Sequence, residues 1–143
     1  MHVVPHLRLT HEGALEVLGA GIAKAQAMGV PQCIAVVDDG GHLLAFTRMD
    51  GAKVLSIDSS IRKAMTAASS RAATGGVPAE VEMKLAVVTR GKLVNLKGGL
   101  PIVVNGHVIG AVGVGSGTGE QDLEVARAAV AALEARVSDD DRR

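Results

Sequence analysis

The chain has no Trp and no Tyr, and Phe46 is its only aromatic residue. Single-stranded nucleic acid is held largely by stacking bases on aromatic rings, and no such platform exists here. Charge of either sign is not in excess: fifteen Lys and Arg balance fifteen Asp and Glu. Attraction to a phosphate backbone therefore has little to act on, and a nucleic-acid partner is excluded. A run of about 18 apolar residues, the least that spans a bilayer, is missing, so no membrane span is expected. The opening MHVVPHLRLTHEG has no apolar stretch of signal-peptide length, and a cytoplasmic location is expected. Cys33 stands alone, which rules out an internal disulfide and suits a reducing compartment. Its flanks, VPQCIAVVD, read as a buried strand, so the thiol is expected to be an inert core group.

What remains is a chain of 143 residues, enough for one domain with a real core. The expected division is a single domain over 1–137 and a charged, frayed tail over 138–143. Its core must be built from Val, Leu, Ile, Met and Ala, and eighteen glycines accompany them. Such small side chains suggest close backbone packing, between elements and also between subunits.

Periodicity predicts a helix over 10–28, with Thr10 as its N-cap, Gly29 and Pro31 as its stop, and Leu15, Leu18, Ile22 and Ala25 facing the core. CIAVV and HLLAFTR, joined by DDGG, read as a hairpin. A second helix is predicted over 54–73, with Ile57, Ile61, Met65 and Ala68 inward and Gly75-Gly76 at its end. Residues 78–89 fit either a short helix or a strand. KLVNL, 92–96, is a short strand candidate. PIVVNGHVIGAVGVG is a second hairpin, turning at Asn105-Gly106, and a last helix over 121–137 places Ala126, Val130, Leu133 and Val137 inward. The sum is an α+β fold in α/β/α layers, with a mainly antiparallel sheet of about five strands.

The glycine-rich stretch Gly113–Gly119 fails the G-x-G-x-x-G spacing in either register, and it follows an antiparallel hairpin rather than opening a βαβ unit. No P-loop is present, so no nucleotide cofactor is expected. Its amides ahead of a helix can still hold a carboxylate or phosphate; the alternative role is close packing, favoured for Gly113 and Gly115 over Gly117 and Gly119. None of the five histidines forms an H-x-x-x-H or H-E-x-x-H metal pair with structural support. Ser56, Ser59, Ser60, Ser69 and Ser70 read as helix-surface serines without a nucleophile elbow. Arg48, Met49, Asp50 and Gly51 lie where a strand gives way to a helix, a place that commonly faces a pocket. Arg48 can clamp an anion and Asp50 can orient it or act as a base; an Arg48–Asp50 turn pair with Asp50 capping the helix is the structural alternative. Lys63 lies off the predicted core stripe and reads as solvated, with proton transfer as its functional alternative. Gln121 and Asp122 open the last helix, where an acid suits the helix dipole.

Taken as a set, D-x-x-G-x-L-x-x-F-x-R-M-D-G-A over Asp38–Ala52, K-A-x-T-A from Lys63, G-G-x-P-I from Gly98, G-x-V-I-G-A-x-G-V and Q-D-x-x-V-A from Gln121 resemble the GlcG/HbpS family, related to the C-terminal domain of PduO. The resemblance implies a profilin-like α/β/α fold with a five-stranded antiparallel sheet, and self-association from dimers to octamers. It implies a small-molecule ligand, haem or a corrinoid. The two glycine loops lie at one end of the second hairpin, and the ligand is expected there, near Arg48, Met49, Asp50, Gly51, Gly98, Gly99, Pro101, Gly117, Gly119, Gln121 and Asp122. No metal ligand can be assigned. A small cofactor-independent lyase, isomerase or hydratase, acting on a hydroxy- or keto-acid through Arg48, Asp50 and Lys63, is the competing reading. The sequence leaves open whether the protein is an enzyme.

Overall fold

Thr10 caps the first helix: its Oγ1 accepts from the Gly13 N–H at 3.1 Å, and Gly29 ends the helix in the left-handed region at φ 69°. The structure, a computed structural model, describes residues 1–141. Its elements run α1 (His11–Met28), β1 (Cys33–Asp38), β2 (Leu43–Arg48), α2 (Ser56–Ser70), α3 (Ala79–Val88), β3 (Gly99–Val104), β4 (His107–Gly115) and α4 (Gly119–Asp141). Both predicted hairpins form. At the second turn Asn105 and Gly106 take φ of 52° and 76°, the paired positive values that a two-residue type I′ turn demands. Replacing Thr10 by Ala should cost about 1 kcal/mol, a typical N-cap penalty. A thermal melt followed by far-ultraviolet circular dichroism measures it.

The sheet is antiparallel throughout, in the order β2-β1-β4-β3. It has four strands rather than the expected five. The missing one is 92–96, whose backbone groups are taken by side chains instead: the Val94 N–H donates to Thr66 Oγ1 at 3.0 Å. The side chain of Asn95 likewise pairs with both backbone groups of Val77. Residues 79–88, ambiguous between helix and strand, are helical as α3.

Both faces of the sheet are covered. Ile34, Val36, Val112 and Val114 join α1 and α4 in one cluster, while Ala35, Val37 and Ala111 meet Ala64, Ala67 and Ala68 of α2 in another. That double burial is why β1 reads as an unbroken apolar run rather than an alternating one.

The buried faces of two helices differ from those predicted. On α1 the inward residues are Ala14, Val17, Leu18, Gly21 and Ala25, and Leu15 is 55% exposed. On α2 they are Ser60, Lys63, Ala64, Thr66, Ala67 and Ala68, with Ile57, Ile61 and Met65 only half-buried at the flanks. The cause is close approach. A Cβ on Gly113 would stand 2.5 Å from Ala64 N and closer still to Ser60 O, so α2 lies almost directly on the β4 backbone. Only small side chains fit between them. Ser60 is accordingly buried, not on the surface. α2 also starts at Ser56 and ends at Arg71, in the left-handed region, rather than spanning 54–73. The last helix places Ala126, Val130 and Leu133 in the core as predicted. It continues through Ser138 to Asp141, where a frayed tail was expected; residues 142–143 of that tail lie outside the described residues.

Candidate functional site

Strands β1, β2 and β4 end together, since Cys33 is paired with Arg48 on one side and with Gly115 on the other. The loops leaving this end meet: the Lys53 N–H donates to Ser116 Oγ at 2.9 Å. Gln32, fully buried, enters β1 here and its carbonyl accepts from the Met49 N–H at 3.0 Å. Cys33 is buried as expected, and burial pushes its thiol pKa up, with Arg48 pulling weakly the other way. It is a poor nucleophile.

At the neighbouring end of β4 lies the most concentrated polar arrangement of the described residues. Lys63 reaches from α2 around the end of the sheet to Asp122 on α4. Its Nζ donates to Asp122 Oδ2 at 3.0 Å and to Val114 O at 2.8 Å. The two side chains are only 5% and 3% exposed. Asp122 Oδ1 accepts from the Gly117 N–H at 2.9 Å. With its amide nitrogen turned toward the two acceptors, Gln32 donates to the same oxygen at 2.9 Å and to Gly115 O. Lys63 is therefore not the solvated lysine its spacing suggested. Burying an ion pair is costly, and this one persists because good geometry and further donors satisfy it.

Lys63 and Asp122 form one wall of a concavity of about 400 Å³, completed by Asn95, Leu96, Lys97 and the glycines 75, 117 and 119. Gly98 adjoins it at φ 124°, and a Cβ there would stand 2.9 Å from Asp122 Cβ and 3.1 Å from Lys63 Nζ. At the mouth, Lys97 pairs with Glu120 and holds its carboxyl below the usual range through a hydrogen bond and its charge.

The structure thus brings together Lys63, Gly98, Gly117, Gly119 and Asp122. Gly99 lies beneath them as the first residue of β3, buried, its N–H donating to Thr74 Oγ1 at 2.9 Å. Pro101 continues that strand. Gln121 acts locally. Its Oε1 accepts from the Thr118 N–H at 2.9 Å while Thr118 Oγ1 accepts from the Gln121 N–H at 3.2 Å, a reciprocal capping box. Arg48, Met49, Asp50 and Gly51 sit at the same end of the molecule but do not line this concavity. Arg48 and Asp50 are exposed and form no ion pair among the described residues, and Asp50 precedes α2 by too far to cap it. Gln32, Asn95 and Lys97 were missed. Lys97, adjoining Gly98-Gly99, was the one with a sequence signal.

A second concavity, about 520 Å³, opens between α2 and the segment from α3 to 93, with Met65, Val88 and Leu93 as apolar lining and Arg90 and Lys92 as cations. α3 buries no residue, and its Met83, Val87 and Val88 are about 70% exposed or more. No group of three His, Cys, Asp or Glu among the described residues is arranged to hold a metal. No helix among them is long and apolar enough to cross a membrane.

Comparison with known proteins matches the chain to one family. The family described as "Haem degrading protein HbpS-like" matches residues 9–131. Protein GlcG of Escherichia coli K12 is 45% identical over 107 residues, 74% of this chain and 80% of that protein. The crystal structure of Klebsiella pneumoniae ORFY superposes with a TM-score of 0.85 at 33% identity, covering 94% of this chain and 97% of the other. The crystal structure of a PduOC–haem complex superposes with a TM-score of 0.81 at 29% identity, covering 88% and 95%. With these matches along most of its length, the chain belongs to the HbpS-like family.

Proposed function

We propose that this chain is a tetrapyrrole-binding protein of the HbpS-like family, taking haem in the cleft between α2 and α3 and acting in the cytoplasm as a homo-oligomer. The observation that carries this reading is its likeness to a haem complex over 88% of the chain. The cleft fits such a group. Its walls at Met65, Val88 and Leu93 are apolar, as a macrocycle face requires, and Arg90 and Lys92 offer cations to carboxylate side chains. A haem bound there would supply redox-active iron, and the Met65 thioether is a ligand type that iron accepts. Thr66 keeps the cleft's shape: its Oγ1 lies 2.8 Å from Arg62 O and 3.0 Å from Lys92 O, and it receives the Val94 N–H. A corrinoid, whose periphery is mostly amide, would make less use of the two cations.

Titration with hemin should give a saturable Soret change at one equivalent per chain. Arg90→Ala combined with Lys92→Ala should weaken it several-fold, and cobalamin should compete poorly. A spectrum that rises linearly without saturation would remove the reading. Saturation untouched by Met65→Ala and by the double cation variant would remove its placement in this cleft.

A further inference from the structure

We infer that the smaller concavity, beside Lys63, is a binding site for a compact oxyanion, a carboxylate or a phosphate, separate from the cleft between α2 and α3. Lys63 carries the argument. An ammonium has three donors, and among the described residues Nζ uses two, on Val114 O and Asp122 Oδ2. Lys63 is buried yet lines the concavity. Its remaining N–H would go to an oxygen that enters the pocket.

The rest of the wall suits such an oxygen. Apart from Leu96 its lining residues are polar or glycine, so hydrogen-bonding groups are at hand for a small, charged ligand. Gly119 opens the long helix α4 at this pocket, where aligned peptide dipoles favour negative charge. Glycine keeps the pocket open. At position 98 a Cβ would press on Val114 O, Asp122 Cβ and Lys63 Nζ, and at position 117 it would stand 2.9 Å from Asp122 Oδ1.

Charge decides which ligand enters. Lys63 and Asp122 neutralise one another inside, so the anion needs a further cation. Lys97 lines the same pocket and its partner, Glu120, is 73% exposed. An exposed pair is exchangeable at little cost, so Lys97 can turn from Glu120 to an incoming oxyanion while Glu120 remains solvated. Asp122 stays fixed, since Lys63, Gly117 and Gln32 all donate to it.

The test is an amide and lysine NMR titration of the full chain with inorganic phosphate, sulfate and acetate as separate arms. Saturable shifts at Gly117, Gly119, Glu120 and the Lys63 ammonium are expected, and the tighter arm identifies phosphate or carboxylate as the natural group. Lys97→Gln, exposed and expected to melt like the native chain, should weaken that binding about tenfold, the worth of one charge-assisted hydrogen bond. The hemin titration should be unchanged in the same variant. Three results overturn the inference: no saturable shift with any of the three ions, equal affinity in Lys97→Gln, or a matching loss of hemin binding. The last would make this pocket part of the tetrapyrrole site, whereas a failed hemin titration with intact anion binding would count only against the cleft.

Discussion

Asp122→Ala should lower the melting temperature by roughly 10–15 °C, the equivalent of about 3–5 kcal/mol for a domain of this size. The loss is large because the substitution removes one partner and leaves the other. Lys63 Nζ would be left at 5% exposure with only Val114 O beside it. The Gly117 N–H and the Gln32 amide would lose their acceptor in the same step, each a further unsatisfied polar group. Adding Lys63→Met should recover part of the stability by removing the stranded charge, since a buried pair replaced by apolar groups is often close to neutral. Denaturant unfolding of the two single variants and the double variant gives the coupling. An Asp122→Ala protein melting within a few degrees of the native one, with no recovery on adding Lys63→Met, would show that the pair contributes nothing to the fold.

Gly113→Ala should be at least as damaging, costing about 3 kcal/mol or more, the upper end of the usual penalty for overpacking. The added methyl meets backbone on α2, Ala64 N and Ser60 O, and no rotamer change can move backbone aside. The whole helix must rise from the sheet, which loosens Ala64, Ala67 and Ala68 together. Gly19→Ala provides the contrast. It lies inside α1 with nothing within 4 Å of its would-be Cβ, and the change should stabilise the protein by about 0.5–1 kcal/mol through helix propensity. Equilibrium urea unfolding of the two variants separates steric from conformational effects; a Gly113→Ala protein as stable as Gly19→Ala would mean that α2 does not rest on β4 as described.

These two predictions mark the boundary between what was legible in the sequence and what was not. Hairpins were legible because turn chemistry is local: Asn105-Gly106 admits positive φ at both positions whatever surrounds it. Thr10 was legible for the same reason. The inward face of α2 was not, because the periodic signal follows bulk and its interface with the sheet selects for smallness. Ile57, Ile61 and Met65 drew the stripe toward themselves, and Lys63, two residues past Ile61, fell outside it. Its burial depends on Asp122, which is distant in the chain and reaches it only around the end of the sheet. Gln32 left no trace either, being one polar residue ahead of an apolar run. KLVNL has the composition of a strand, yet the Thr89 and Thr66 hydroxyls capture its Leu93 and Val94 N–H groups before another strand can. The convergence of the two glycine loops was legible, since a hairpin brings its ends together. Their grouping with Arg48 and Asp50 was not legible in detail, since those two side chains do not line the concavity that Gly117 and Gly119 help to form.

The strand order also governs the sequence in which the protein can assemble. Within the sheet the two hairpins are joined by the seam of β1 on β4, from Cys33 with Gly115 to Asp38 with Gly110. Closing so long a loop costs about 4 kcal/mol of chain entropy before any contact rewards it. During synthesis Cys33–Val37 emerges with β2 beside it and its other edge bare until β4 has left the ribosome. That edge, in a strand buried on both faces in the finished fold, is open to mispairing until the last third of the protein has been made.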